Sequence, residues 1–118
     1  MDNVTEVKEW YKETLAHRVI DSLEKNNMTA FYVKTGEEAR EKVLSLIPAG
    51  SKVGYGGSLS LDQIGVKDVL RAGNYHFIDR HKPQLTPEEK DDLRKESLLA
   101  DVFLMSTNAV TMDGKLVN

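Results

Sequence analysis

The sequence has no cysteine. That removes disulfides, thiolate zinc sites, thiolate-ligated iron–sulfur clusters and cysteine nucleophiles from the chemistry this chain can supply. Histidine is scarce: His17, His76 and His81 are the only three, and no two stand four apart. A metal site needs converging ligands, so no metal and no other cofactor are expected, and the histidines read as surface or hydrogen-bonded residues. There is no apolar run long enough to cross a bilayer, and Met1-Asp2-Asn3-Val4 lacks a signal-peptide pattern. No membrane association is expected, and the cytoplasm is the expected location. Positive charge is not concentrated anywhere; the net charge is −3. Binding a phosphate backbone needs a concentrated basic face, so no nucleic-acid partner is expected. What remains is a 118-residue chain, 40% hydrophobic and 30% charged, enough for one globular core.

Residues 4–25 carry Val4, Val7, Tyr11, Leu15, Val19 and Leu23 near helical spacing, with charged residues between them. Trp10 and Ile20 widen the stripe, which reads as a core-facing helix ended by Asn26-Asn27. Thr29-Ala30-Phe31-Tyr32-Val33-Lys34 reads as a strand. Thr35 and Glu38 form a capping box for a helix over residues 36–46, which Pro48-Ala49-Gly50-Ser51 terminates. A short strand over residues 52–55 runs into Gly56-Gly57-Ser58, after which Ser58 and Ser60 are both candidate helix caps. Ile64-Gly65-Val66 interrupts the pattern, giving two short helical pieces or one kinked helix. Tyr75-His76-Phe77-Ile78-Asp79 is a third strand. Thr86-Pro87-Glu88-Glu89 combines cap, first-turn proline and acidic third position, and starts a helix to residue 99. Asp101-Val102-Phe103-Leu104-Met105-Ser106 reads as a strand buried on both faces, continued irregularly by Asn108-Ala109-Val110-Thr111. A turn around Asp113-Gly114 leads to a last strand at Leu116-Val117-Asn118. Alternating strands and helices predict an α/β fold with a parallel sheet covered by helices, which binds ligands at the carboxyl ends of its strands.

Two strand ends fit that position: residues 54–58 and residues 106–110. Gly54, Gly56, Gly57 and Ser58 let the main chain approach a small anion, and they serve equally as a tight strand-to-helix turn. The spacing is neither that of a dinucleotide fingerprint nor that of a P-loop. Asn108 either fixes a backbone turn or faces the ligand. Asp79 and Arg80 are candidate accessory residues, or a simple ion pair of Asp79 with Arg80 or a helix end. Asp101, either accessory or a helix terminator, and Asp113 complete the candidates. No nucleophile–base arrangement is recognisable.

Together these segments resemble the LUD domain family, the lactate utilisation protein C-like proteins of bacteria. The likeness is carried by Val53-Gly54-Tyr55-Gly56-Gly57-Ser58, by Gly65-Val66-Lys67-Asp68-Val69-Leu70-Arg71, by Phe77-Ile78-Asp79-Arg80 and by the run from Leu98 through Asp101 to Asn118. The resemblance implies a Rossmann-like sheet of the ribose-phosphate isomerase and CoA-transferase-like superfamily. It implies one domain over residues 1–118 that lacks its C-terminal part. A truncated sheet leaves an exposed edge, so pairing into a homo-oligomer is expected. It also implies a small anionic ligand and a role beside iron–sulfur redox subunits in oxidation of lactate or a similar organic acid. The alternatives are a non-catalytic regulatory or interaction subunit, or a relative of the sugar-phosphate or CoA-type transferases and isomerases. The segment from Thr107 to Asn118 is similar to the isomerase and initiation-factor branch of that superfamily, whose catalytic Asp falls near Asn108-Ala109 here. An amide is no general base, so isomerisation by that route is not expected; Asn108 retains hydrogen-bonding donors and an acceptor.

Overall fold

A computed structural model describes residues 3–118. Met1 and Asp2, half of the N-terminal segment read above for targeting, lie outside the described residues. The elements are α1 (Asn3–Lys25), α2 (Gly36–Ser45), β1 (Lys52–Tyr55), α3 (Leu59–Gln63), α4 (Val66–Ala72), β2 (His76–Phe77), α5 (Pro87–Ser97), β3 (Val102–Leu104), β4 (Ala109–Val110) and β5 (Leu116–Val117). They fall into two compact units: Lys34–Ser106, and the described residues up to Val33 with Thr107–Asn118.

The unit Lys34–Ser106 is mixed α/β. Its sheet has the order β2-β1-β3 with both pairings parallel, so the chain crosses over a helix each time it returns. Side chains alternate along β1. Val53 and Tyr55 turn into a core with Ile47, Leu61, Val66 and Leu70. Gly54 turns the other way, against Phe103 and the α5 residue Ser97. Helix starts follow the local chemistry. The Thr35 hydroxyl accepts the Glu38 amide at 3.1 Å, and the Glu38 carboxylate accepts the Lys34 amide at 3.2 Å. Thr86 accepts the Glu89 amide at 3.1 Å, with Pro87 in the first turn. The interruption at residues 64–66 separates two helices, because Gly65 takes φ of 79° at the start of α4.

Three expectations are corrected here. β3 is shorter than the predicted residues 101–106, and Phe103 is 42% exposed rather than buried on both faces, because β3 lies at an edge of this sheet. α5 stops at Ser97, which leaves Leu98 and Leu99 exposed. Residues 108–111 do not extend β3; their central pair forms β4, which pairs antiparallel with β5.

In the other unit, the β4–β5 turn sits on the last turns of α1. The Ser22 hydroxyl donates to the Met112 carbonyl at 2.7 Å, and the Asn26 amide donates to the carbonyls of Asp113 and Gly114 at 3.1 Å each. Gly114 is required there, since a Cβ would stand 2.9 Å from the Ser22 backbone. Asn27 ends the helix with φ of 65°, as the Asn pair predicts. The apolar stripe of α1 is not a core face along its whole length: Val4, Val7, Trp10 and Tyr11 are all more than half exposed, and α1 buries no residue fully. Thr29-Ala30-Phe31-Tyr32-Val33 forms no strand, because no described strand lies beside it to complete a ladder. Among the described residues no helix is long and apolar enough to cross a membrane.

Candidate functional site

The carboxyl ends of β1 and β2 carry a polar cluster. β1 ends in Tyr55, whose ring is fully buried against Phe77 at 5.8 Å, edge to face. Its hydroxyl donates to Asp62 Oδ1 at 2.7 Å. Lys67 Nζ is 3.2 Å from the same oxygen and 5.2 Å from the centre of the Tyr55 ring. Burial, then the bond to the Asp62 carboxylate, push the Tyr55 pKa well above the usual phenol range. The Tyr55 hydrogen bond, helped by Lys67, holds the Asp62 carboxyl below its usual range. Tyr55, Asp62 and Lys67 therefore pin the end of β1 to the two crossover helices.

The glycine turn follows. The Gly56 amide donates to the Leu104 carbonyl at 2.8 Å, which prolongs the β1–β3 ladder into the turn. A Cβ on Gly54 would stand 2.7 Å from Phe103 Cδ2, and one on Gly56 would stand 3.2 Å from Phe103 Cε1. Both positions are therefore constrained by packing. Gly57 is different: it takes φ of 72°, and a Cβ would face the His81 ring at 3.3 Å. The Ser58 hydroxyl is buried and accepts the Leu61 amide at 3.1 Å, so Ser58, and not Ser60, caps α3. Ser58→Ala is expected to cost about 1 kcal/mol of stability, read as a lower urea midpoint at unchanged slope.

At the end of β2, the Ile78 amide donates to the Val53 carbonyl at 2.9 Å and fixes the next residue, Asp79. The Asp79 side chain is 4% exposed. Arg71, in the last turn of α4, donates from Nε to Asp79 Oδ2 at 2.6 Å, and the His81 amide donates to Asp79 Oδ1 at 3.0 Å. Burial works to raise the Asp79 pKa; the Arg71 hydrogen bond, the His81 amide and the nearby charges of Arg71 and Lys67 outweigh it, so the carboxyl titrates below its ordinary range. The same bond raises the Arg71 pKa. The partner of Asp79 is thus a helix end rather than Arg80.

The pair lines a cleft of about 510 Å³ with Leu70, Tyr75, Phe77, Lys82 and Pro83. Asp79 engages Arg71 through Nε, and neither Nη group makes a hydrogen bond to protein among the described residues. A guanidinium held through Nε keeps its Nη1–Nη2 edge for another partner, and that edge has the geometry that takes a carboxylate two-pronged.

The remaining candidates lie elsewhere. Asp101 is at the opposite end of β1: its carboxylate accepts the Lys52 amide at 2.9 Å, and its own amide donates to the Lys52 carbonyl at 2.9 Å. Asp113 accepts a short hydrogen bond from the Thr111 hydroxyl in the β4–β5 turn, with Lys115 Nζ 3.4 Å away. Asn108 is exposed, and its backbone N–H donates to the Val117 carbonyl at 3.1 Å. Asp101 therefore stands apart from the glycine turn, whereas Gly57 and Asp79 are brought together through His81. Sequence reasoning missed Asp62, Lys67 and Arg71, which sit on the crossover helices. The signal was there: charged residues at the start and end of a crossover helix return to the ends of the strands that flank it. Among the described residues no group of three or more His, Asp or Glu side chains could hold a metal ion.

A parallel three-stranded sheet flanked by helices, with a polar cluster at the strand carboxyl ends, defines an α/β domain. The LUD domain family model matches residues 16–118, and the chain belongs to the LUD domain family. No curated protein and no solved structure matches it.

Proposed function

We propose that this LUD-domain chain binds a small carboxylate and acts as an accessory in the oxidation of lactate or a similar organic acid, beside iron–sulfur redox partners. The observation that carries the reading is Arg71, held by buried Asp79 through Nε with its Nη edge uncommitted, in a cleft that also holds Lys82. The family supports the organic-acid context. With no cysteine among these 118 residues, the thiolate ligands of any cluster come from outside them. Binding is favoured over catalysis because Asp79 is already bonded twice and titrates low, which makes it a poor general base. Asn108, offered by the resemblance as a ligand contact, remains part of this proposal as a hydrogen-bonding residue.

Isothermal titration with lactate, pyruvate and hexanoate tests the reading. Saturable binding is expected, and Lys82→Ala weakens it about fivefold, the loss of one partly solvated charge contact. Heat signals that do not saturate, or an affinity indifferent to Lys82→Ala and Lys82→Glu, would count against it.

A further inference from the structure

The cleft beside Arg71 is large for a three-carbon acid. At about 510 Å³ it falls in the range of sites that enclose ligands of many heavy atoms, about 300–1,000 Å³. A second cleft of about 340 Å³ adjoins it and shares Phe77, Asp79 and Lys82. Its other walls are Leu85 and Leu93, which are apolar, and Glu89 and Asp92, which are acidic. Glu89 spends one oxygen on the Thr86 hydroxyl at 3.1 Å, and the Asp92 carboxylate has no partner among the described residues. The two clefts together present a cationic end at Arg71, an apolar middle at Phe77, Leu85 and Leu93, and an anionic end at Glu89 and Asp92.

We infer that the ligand is an amino carboxylate with an apolar spacer. Its carboxylate meets Arg71 and Lys82, its hydrocarbon crosses Phe77, and its ammonium meets Asp92 and Glu89. The inference rests on the carboxylate reading above and adds the second pole. A charge-asymmetric site binds the plain acid less tightly than the amino acid, because the plain acid leaves Glu89 and Asp92 without a counterion.

The test is titration of the whole chain with 4-aminobutanoate, 6-aminohexanoate and 8-aminooctanoate, each beside the unsubstituted acid of the same length. At least one amino acid of the series is expected to bind about fivefold tighter than its plain counterpart, the yield of a partly solvated ion pair. The double variant Glu89→Gln/Asp92→Asn removes that advantage; the glutamine keeps the capping geometry at the start of α5. Equal affinity within every pair, with the plain acids still sensitive to Lys82→Ala, overturns the second pole and leaves the carboxylate reading standing. An amine advantage that survives the double variant also overturns it. No binding by either series overturns both.

Discussion

Gly54→Val is expected to lower the unfolding free energy by about 3 kcal/mol, and Gly54→Ala by about 1–2 kcal/mol. Gly54 lies in β1, the central strand, and pairs with Phe103 of β3. A Cβ there would stand 2.7 Å from Phe103 Cδ2 and 3.1 Å from Ser97 Cβ. The two neighbours yield differently. Phe103 is 42% exposed and can swing outward, whereas Ser97 is 2% exposed on a helix, its hydroxyl donating to the Leu93 carbonyl at 2.9 Å. Alanine is accommodated by moving the ring; valine forces α5 off the sheet. Urea denaturation of the two variants measures this, and a valine variant as stable as wild type would show that α5 does not pack on Gly54. The consequence for function is specific. Gly54 opens the sequence motif that looks most like a ligand loop, yet its lack of a side chain is used in packing.

Arg71→Leu is expected to cost about 2–3 kcal/mol, at the lower side of what breaking a buried ion pair costs, because Arg71 itself is 43% exposed while Asp79 is 4% exposed. Most of the loss is the desolvated Asp79 carboxylate left with only the His81 amide. Arg71→Leu with Asp79→Asn recovers much of it, since the amide needs no counterion. Arg71→Lys separates stability from binding. It keeps a charge for Asp79 but loses the fork, so it stays more stable than the leucine variant and binds carboxylate about tenfold more weakly than wild type. The same pair sets a pH dependence. Asp79 has a lower pKa folded than unfolded, so its contribution is complete above the unfolded value of about 3.9 and is lost as pH falls through the folded value. The urea midpoint of wild type therefore drops more steeply than that of Asp79→Asn as pH falls below about 4. Parallel curves would show that Asp79 is not held low by Arg71.

Local chemistry was the most legible part of this protein. The start of α5 at Thr86-Pro87, the Thr35 cap and the Asp113-Gly114 hairpin each follow from side chains that bond to their own neighbourhood. The parallel sheet followed from alternation of strands and helices. Three features were not legible, for one physical reason: they depend on what lies across from a segment. Thr29-Ala30-Phe31-Tyr32-Val33 has strand composition, but none of the described strands pairs with it. Val4, Val7 and Trp10 have helical spacing but stay more than half exposed. Phe103 reads as buried but stands at a sheet edge. The site behaved in the same way. Gly57 and Asp79 were visible as residues that follow strands. Arg71, the residue that gives the cleft its chemistry, was hidden because its partner is eight residues away across a helix-to-strand reversal. Ser58 was legible both as a helix cap and as a ligand hydroxyl, and its oxygen accepts the Leu61 amide as a cap does.

The central claim is that a carboxylate binds at the end of β2 against Arg71. Backbone amide chemical shifts of the isotopically labelled chain, followed during titration with hexanoate, test it most directly. The account predicts saturable shifts at Phe77, Asp79, His81 and Lys82, together with the Arg71 side-chain Nε–H; in Arg71→Lys the backbone shifts saturate only at about tenfold higher hexanoate. Shifts confined to residues 56–58 and absent from residues 77–82, or a pattern that survives unchanged in Arg71→Lys, would contradict it.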